Sequence, residues 1–112
     1  MPSDASSTPT NGPVTFVNRF TVRSSAEEFE RVFIETSEFM AGRPGFLQNT
    51  LLRHIDGPGT YLNIAQWRDL AAFRSAVSHP EFQPHAAALR EISTSEPNLY
   101  QPRHTFTAAS GQ

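Results

Sequence analysis

Polar and apolar side chains alternate along residues 14–23. This pattern predicts a strand whose core-facing positions are Val14, Phe16, Asn18, Phe20 and Val22. Asn18 therefore falls in the middle of an otherwise apolar face. A second alternating run, from Thr60 to Trp67, places Tyr61, Asn63, Ala65 and Trp67 together in the same manner. A buried amide left without partners costs about 1–3 kcal/mol. A small domain has little margin for two such losses, so the pattern asks what answers the two amides.

Between these runs, Ser25 and Glu28 form a capping-box signature at the start of a helix. Its inward stripe is Phe29, Phe33, Thr36 and Met40, flanked by Val32 and Phe39, and Gly42, Pro44 and Gly45 end it. Phe46 to Ile55 reads as a second strand. Asp56-Gly-Pro-Gly59 is a turn, so the second and third strands form a hairpin. Asp69 caps a helix from Leu70 to about Ser78 with Phe73 and Val77 inward, His79-Pro80 interrupts it, and Pro84 to Ile92 continues as a helix. A last strand is expected from Asn98 to about Thr107, with Pro102 marking an edge or bulge.

The order β-α-β-β-α-β is the ferredoxin-like split pattern, an α+β fold with an antiparallel sheet covered by helices on one face. The domain is expected over residues 14–108. It lies between a disordered Ser/Thr/Pro/Gly-rich tail at 1–13 and a short C-terminal tail at 109–112. In that topology the first and third strands are central neighbours, so Asn18 and Asn63 share one wall with Trp67 further along it. An apolar pocket with a few convergent polar groups is the usual form of a small-molecule site.

The opposite face of the sheet changes the picture. Strand two carries Phe46 and Leu52 at even positions and Leu47, Leu51 and Ile55 at odd ones; strand three adds Leu62 and Ile64 behind Asn63. An antiparallel sheet with helices on one side normally shows water a polar second face. Here the second face is apolar, and a second copy of the chain is the simplest cover, which predicts a homodimer built as a dimeric α+β barrel.

Composition narrows the chemistry. The 112 residues carry a formal net charge of −2 and no cysteine, with a pI near 6.0. There is no basic stripe for a nucleic-acid backbone, no thiolate chemistry and no apolar run long enough to span a membrane. The absence of a signal segment and of cysteines fits a cytoplasmic protein. No nucleotide loop or HExxH motif occurs, and His54, His79, His85 and His104 lack ligand spacing, so neither a cofactor nor a metal is expected. Glu27, Glu28, Glu30 and Arg31 read as a solvated helix face.

Asn63-Ile-Ala-Gln-Trp67, Arg43-Pro-Gly-Phe46 and Leu89-Arg90-Glu91 resemble the antibiotic biosynthesis monooxygenase family, and within it the cofactor-free anthrone oxygenases of aromatic polyketide pathways. The resemblance spans about Thr15 to Phe106 and implies a dimer of ferredoxin-like subunits. It also implies a monooxygenase taking an aromatic polyketide and O2 as co-substrate, in a conversion of the 12-deoxynogalonic acid to nogalonic acid type. Asn18, Asn63 and Trp67 are then the catalytic candidates. The two amides would hold a carbonyl or enolate oxygen, and Trp67 would donate a proton or stack on the polycycle. Substrate contacts fall to Arg90, Phe73, Leu52 and Phe33. Arg90 reads equally as a solvated residue beside Glu91. Phe73 stands where some relatives have Tyr, and Leu52 where a relative can have His, so mechanisms that need those groups are in doubt. Two alternatives share the fold: a non-catalytic dimeric polyketide-binding protein, and a polyketide cyclase or heme-degrading enzyme.

Overall fold

A computed structural model describes residues 12–109. The tails expected at 1–13 and 109–112 lie outside the described residues except for Gly12, Pro13 and Ala109. Seven elements follow one another: β1 (Val14–Val22), α1 (Ala26–Ala41), β2 (Phe46–Arg53), β3 (Thr60–Trp67), α2 (Leu70–Val77), α3 (Phe82–Ile92) and β4 (Ser93–Tyr100). The four strands form one antiparallel sheet in the order β2-β3-β1-β4, which is the ferredoxin-like arrangement.

The first two expected helix starts hold, each for the expected reason. Ser25 Oγ accepts from the Glu28 N–H at 3.1 Å, with Glu27 and Glu28 placed against the positive end of α1. Asp69 Oδ1 accepts from the Ala72 N–H at 2.8 Å, a bond that holds the Asp69 carboxyl below its ordinary range. Gly45 adopts φ 87°, and a Cβ there would collide with the Ala72 side chain. Only glycine lets the start of β2 pass this close to α2.

Two expectations fail in instructive ways. The last strand begins at Ser93, directly after α3, and ends at Tyr100 rather than running from Asn98 to Thr107. Its sequence shows little alternation because β4 is an edge strand with only Ser93 buried, and the edge also tolerates Pro97. Ser93 Oγ donates to Leu89 O at 2.6 Å and the Arg23 guanidinium donates to Arg90 O at 2.8 Å, so the last carbonyls of α3 are satisfied as the chain turns into strand.

Strand two departs more consequentially. Phe46 pairs with Trp67 but Gln48 pairs with Gln66, so Leu47 is an extra residue on β2, a bulge. Beyond it the parity reverses. Asn49 and Leu51 face inward with Ala65 and Asn63, and Leu52 turns outward opposite Leu62.

The helix-covered face holds two apolar clusters. One gathers Phe20, Phe29, Val32, Phe33, Tyr61 and Leu89; the other gathers Val14, Ala65, Trp67, Ala72, Phe73 and Ala76. The other sheet face bears Val17, Leu62 and Ile64, each partly exposed, with Leu52 45% and Tyr100 54% exposed. Among the described residues, no helix is long and apolar enough to cross a membrane.

Candidate active site

Between the two clusters runs a row of amides. The β1–β3 register sets Asn18 directly opposite Asn63, and the bulge brings Asn49 in from β2 beside them. Asn49 Nδ2 donates to Ser37 Oγ at 3.0 Å and to Asn63 Oδ1 at 3.3 Å. The Asn63 oxygen is thereby occupied, and its Nδ2 meets no acceptor among the described residues. Asn18 Oδ1 is fully buried with no hydrogen-bond partner among the described residues. Native interiors rarely leave such an atom unanswered, and one that persists marks a place where a ligand or water belongs.

These amides line a continuous cavity between sheet and helices. Its inner chamber, about 90 Å³, is walled by Phe33, Met40, Phe46, Asn49, Asn63 and Trp67, among others. It opens past Asn18, Phe16, Phe73 and Phe82, which also border an outer groove of about 450 Å³ between α3 and β4. That volume falls within the range of small-molecule sites. Arg90, Ser93, Ser95, Pro97 and Leu99 form the mouth. Of all residues lining chamber and groove, Arg90 is the only ionisable one.

The structure brings together six of the seven residues singled out in the sequence. Asn18 borders both compartments, Asn63 and Trp67 face the inner chamber, and Phe33 and Phe73 are apolar wall. Trp67 is 1% exposed and held at T-shaped angles by Phe46, at 5.2 Å between ring centroids, and Phe73, at 5.9 Å. Arg90 stands at the rim, exposed, without an ion-pair partner among the described residues. Leu52 is the correction: the bulge at Leu47 puts it on the outer sheet face, away from the cavity.

Two further residues were not legible as site residues. Asn49 was hidden by the bulge, although the pairwise run Phe46-Leu47-Gln48-Asn49, two apolar then two polar, breaks alternation and signals a slip. Phe82 belongs to α3, which starts two residues before the expected Pro84. It shares one helix face with Ala86 and Leu89 at the groove, a spacing that a longer helix would have revealed.

The histidines and carboxylates lie elsewhere. His54 Nδ1 accepts from the Asp56 N–H, His79 Nδ1 accepts from the Glu81 N–H, and His79 and His85 rest against Phe39. No group of three or more potential ligands gathers for a metal among the described residues. Glu30, expected in solvent with its neighbours, instead accepts the Tyr61 hydroxyl at 2.7 Å. Tyr61 is buried within the Phe29 cluster, so α1 turns one carboxylate toward the sheet.

The family model for antibiotic biosynthesis monooxygenases matches residues 13–88. Deoxynogalonate monooxygenase from Streptomyces nogalater is 54% identical over 93 residues, covering 83% of this chain and 79% of that protein. Tetracenomycin-F1 monooxygenase from Streptomyces glaucescens is 33% identical over 98 residues, covering 86% and 87%. Among solved structures, SnoaB, a cofactor-independent oxygenase from Streptomyces nogalater, superposes with a TM-score of 0.84 at 52% identity. The match covers 87% of this chain and 99% of that one. The match to the family model and the two relatives agree with the superposed fold: the chain belongs to the antibiotic biosynthesis monooxygenase family.

Proposed function

We propose that this protein is a cofactor-independent monooxygenase that oxidises the methylene of an aromatic polyketide anthrone to the quinone carbonyl with O2, in a conversion of the 12-deoxynogalonic acid to nogalonic acid type. The observation that carries this reading is the cavity itself. Unpaired neutral amide groups converge on an apolar chamber that offers no acid or base. Such a site suits a substrate that supplies its own acidity, rather than a hydrolase needing a proton-transfer pair.

The chemistry balances without any other redox partner. The anthrone methylene loses a proton to water and leaves an aromatic oxyanion. The anion gives one electron to O2, and the radical pair combines to a carbon-bound peroxide. Loss of the remaining methylene hydrogen with cleavage of the O–O bond releases water and forms the carbonyl. Substrate plus O2 becomes quinone plus water. The enzyme's part is to stabilise the oxyanion, and fixed N–H donors in a dry site do this because they need no reorganisation as charge develops.

Asn63 takes the first role, since its oxygen is already bonded to Asn49 and its NH2 is left for the oxyanion. Asn18 contributes from the opposite strand, where its unanswered Oδ1 accepts from a substrate hydroxyl while its NH2 donates. Trp67 has little ring face open for stacking, which supports its indole N–H as the donor to the peroxide. Arg90 at the rim pairs with a carboxylate or phenolate outside the reacting ring, and Phe33, Phe73 and Phe82 enclose the polycycle. The relatives bear on the cofactor-free step as well, since the SnoaB structure is described as that of a cofactor-independent oxygenase.

The working unit is a homodimer formed through the second sheet face, where Val17, Leu52, Leu62, Ile64 and Tyr100 are uncovered. Sedimentation of a stable monomer at micromolar concentration refutes the dimer. For the reaction, the purified protein consumes O2 on addition of an anthrone with undiminished rate in EDTA, and Asn63→Ala lowers kcat by about 10- to 1000-fold. Substrate bound and released unchanged in air would instead make this a binding protein. Conversion under nitrogen would make it a cyclase.

A further inference from the structure

We propose that Asn49, anchored by Ser37, is a positioning residue that turns the Asn63 amide so that its N–H groups point into the cavity. The inference rests on the reading of Asn63 as an oxyanion donor. An amide side chain keeps nearly the same shape when rotated by half a turn, but it exchanges an acceptor for two donors. In an apolar chamber the neighbouring phenyl rings do not distinguish the two orientations. A donor site therefore needs a polar partner that chooses between them.

Asn49 supplies that partner. Both acceptors within reach of its NH2 are engaged, Ser37 Oγ at 3.0 Å and Asn63 Oδ1 at 3.3 Å. With the Asn63 oxygen held toward β2, the NH2 is left for the side of the chamber bordered by Asn18. Asn18 does not compete for it, because its own Oδ1 has no partner. Ser37 ties the pair to α1, a helix fixed by the burial of Phe29 and Phe33, so the position of the Asn49 amide is referred to a rigid element. The bulge at Leu47 is what makes this possible, since without it Asn49 would lie on the far face of the sheet. A bulge beside a site commonly re-aims one side chain, and here Asn49 is the side chain so aimed.

Asn49→Asp separates positioning from plain packing. An ionised carboxylate at 49 only accepts, so it draws the Asn63 NH2 toward itself and turns the oxygen into the cavity. A protonated carboxyl can donate again. No ionisable side chain lines the inner chamber, so the new carboxyl is the group that titrates there. The ratio of variant to wild-type kcat is expected to fall by about 10-fold or more as pH rises through that carboxyl's pKa, with KM nearly unchanged. In an Asn63→Ala background the same change should alter kcat by less than about 3-fold, because no amide remains to be turned.

Asn49→Leu gives an uncharged version of the same cycle should the aspartate variant fail to fold. Its kcat should fall in the Asn63 background and barely change in the Asn63→Ala one. Wild-type kcat in both Asn49 variants, or an equal loss in both backgrounds, overturns the positioning role. If Asn63→Ala itself runs at the wild-type rate, the donor reading fails and this inference fails with it. If Asn63→Ala is slow while the Asn49 variants are normal, only the role of Asn49 is lost.

Discussion

Tyr61 and Asn18 lie on the same helix-covered face of neighbouring strands, and both bring a polar group into an apolar setting. The Tyr61 hydroxyl is answered at 2.7 Å by Glu30, at the end where Phe20, Phe29 and Phe33 close around it. The Asn18 oxygen is answered by nothing, at the end where the packing opens into the cavity. One end of the sheet uses its polar group to hold a helix, and the other leaves its polar group unpaired at the cavity wall. Burial alone does not distinguish them. The presence or absence of a partner does, which is why an unpaired amide points to a ligand more directly than a paired hydroxyl.

Asn18→Leu tests the open end most severely. The leucine has the branching and heavy-atom count of asparagine and removes the orphaned oxygen together with the NH2, its extra bulk having the cavity to enter. Turnover should fall by about 10- to 1000-fold, since a donor and an acceptor for substrate are lost together. Stability should move the other way, rising by about 1–3 kcal/mol, because a buried unsatisfied group has been replaced by an apolar one. Oxygen-uptake kinetics and chemical denaturation on the same preparation check both halves. A variant that is both slower and less stable would show that Asn18 serves the fold.

This contrast also explains what the sequence disclosed and what it hid. Alternation alone placed Asn18, Asn63 and Trp67 on one wall, because β1 and β3 are central strands with one buried face each, and a two-residue period is then hard to misread. Capping chemistry at Ser25 and Asp69 made the helix starts legible for the same local reason. Strand β2 defeated the same logic, because parity carries across a segment only while the ladder is regular. One extra residue at Leu47 exchanged Leu52 for Asn49. The edge strand β4 was misplaced because exposure on nearly every side leaves no alternation to read. The Tyr61–Glu30 pair was hidden for a third reason: a carboxylate on a mostly charged helix face looks solvated until the strand opposite it is known.

Tyr61→Phe probes the closed end. Removing the hydroxyl leaves Glu30 without its donor, and a hydrogen bond to a charged group is worth about 1.5–3 kcal/mol, so unfolding free energy should drop by that order. Activity should stay at the wild-type level, since Tyr61 lines neither chamber nor groove. There is a pH signature as well. Burial first, and then the bond to Glu30, raise the Tyr61 pKa above its ordinary 10.0. The folded state therefore resists ionisation that the unfolded chain undergoes. The associated stability is complete below pH 10 and is lost as pH rises from there toward the folded value. Denaturation midpoints measured across alkaline pH should fall more steeply for wild type than for Tyr61→Phe.

Arg90→Gln asks how far the open end extends into solvent, and it should have the smallest effect of the three. The guanidinium is exposed at the mouth of the groove, where an ion pair with a substrate carboxylate is screened and worth no more than about 1 kcal/mol. KM should therefore rise by no more than about 5-fold with kcat unchanged, and the difference from wild type should shrink as salt is added. A large fall in kcat would instead mean that Arg90 reaches the reacting ring, and the boundary between the polar rim and the neutral chamber would have to be drawn deeper. A KM that ignores both the substitution and salt would remove Arg90 from the site. The neutral side chains of Ser93 and Ser95 would then be the polar groups left at the mouth, and recognition would rest on the fit of the apolar walls.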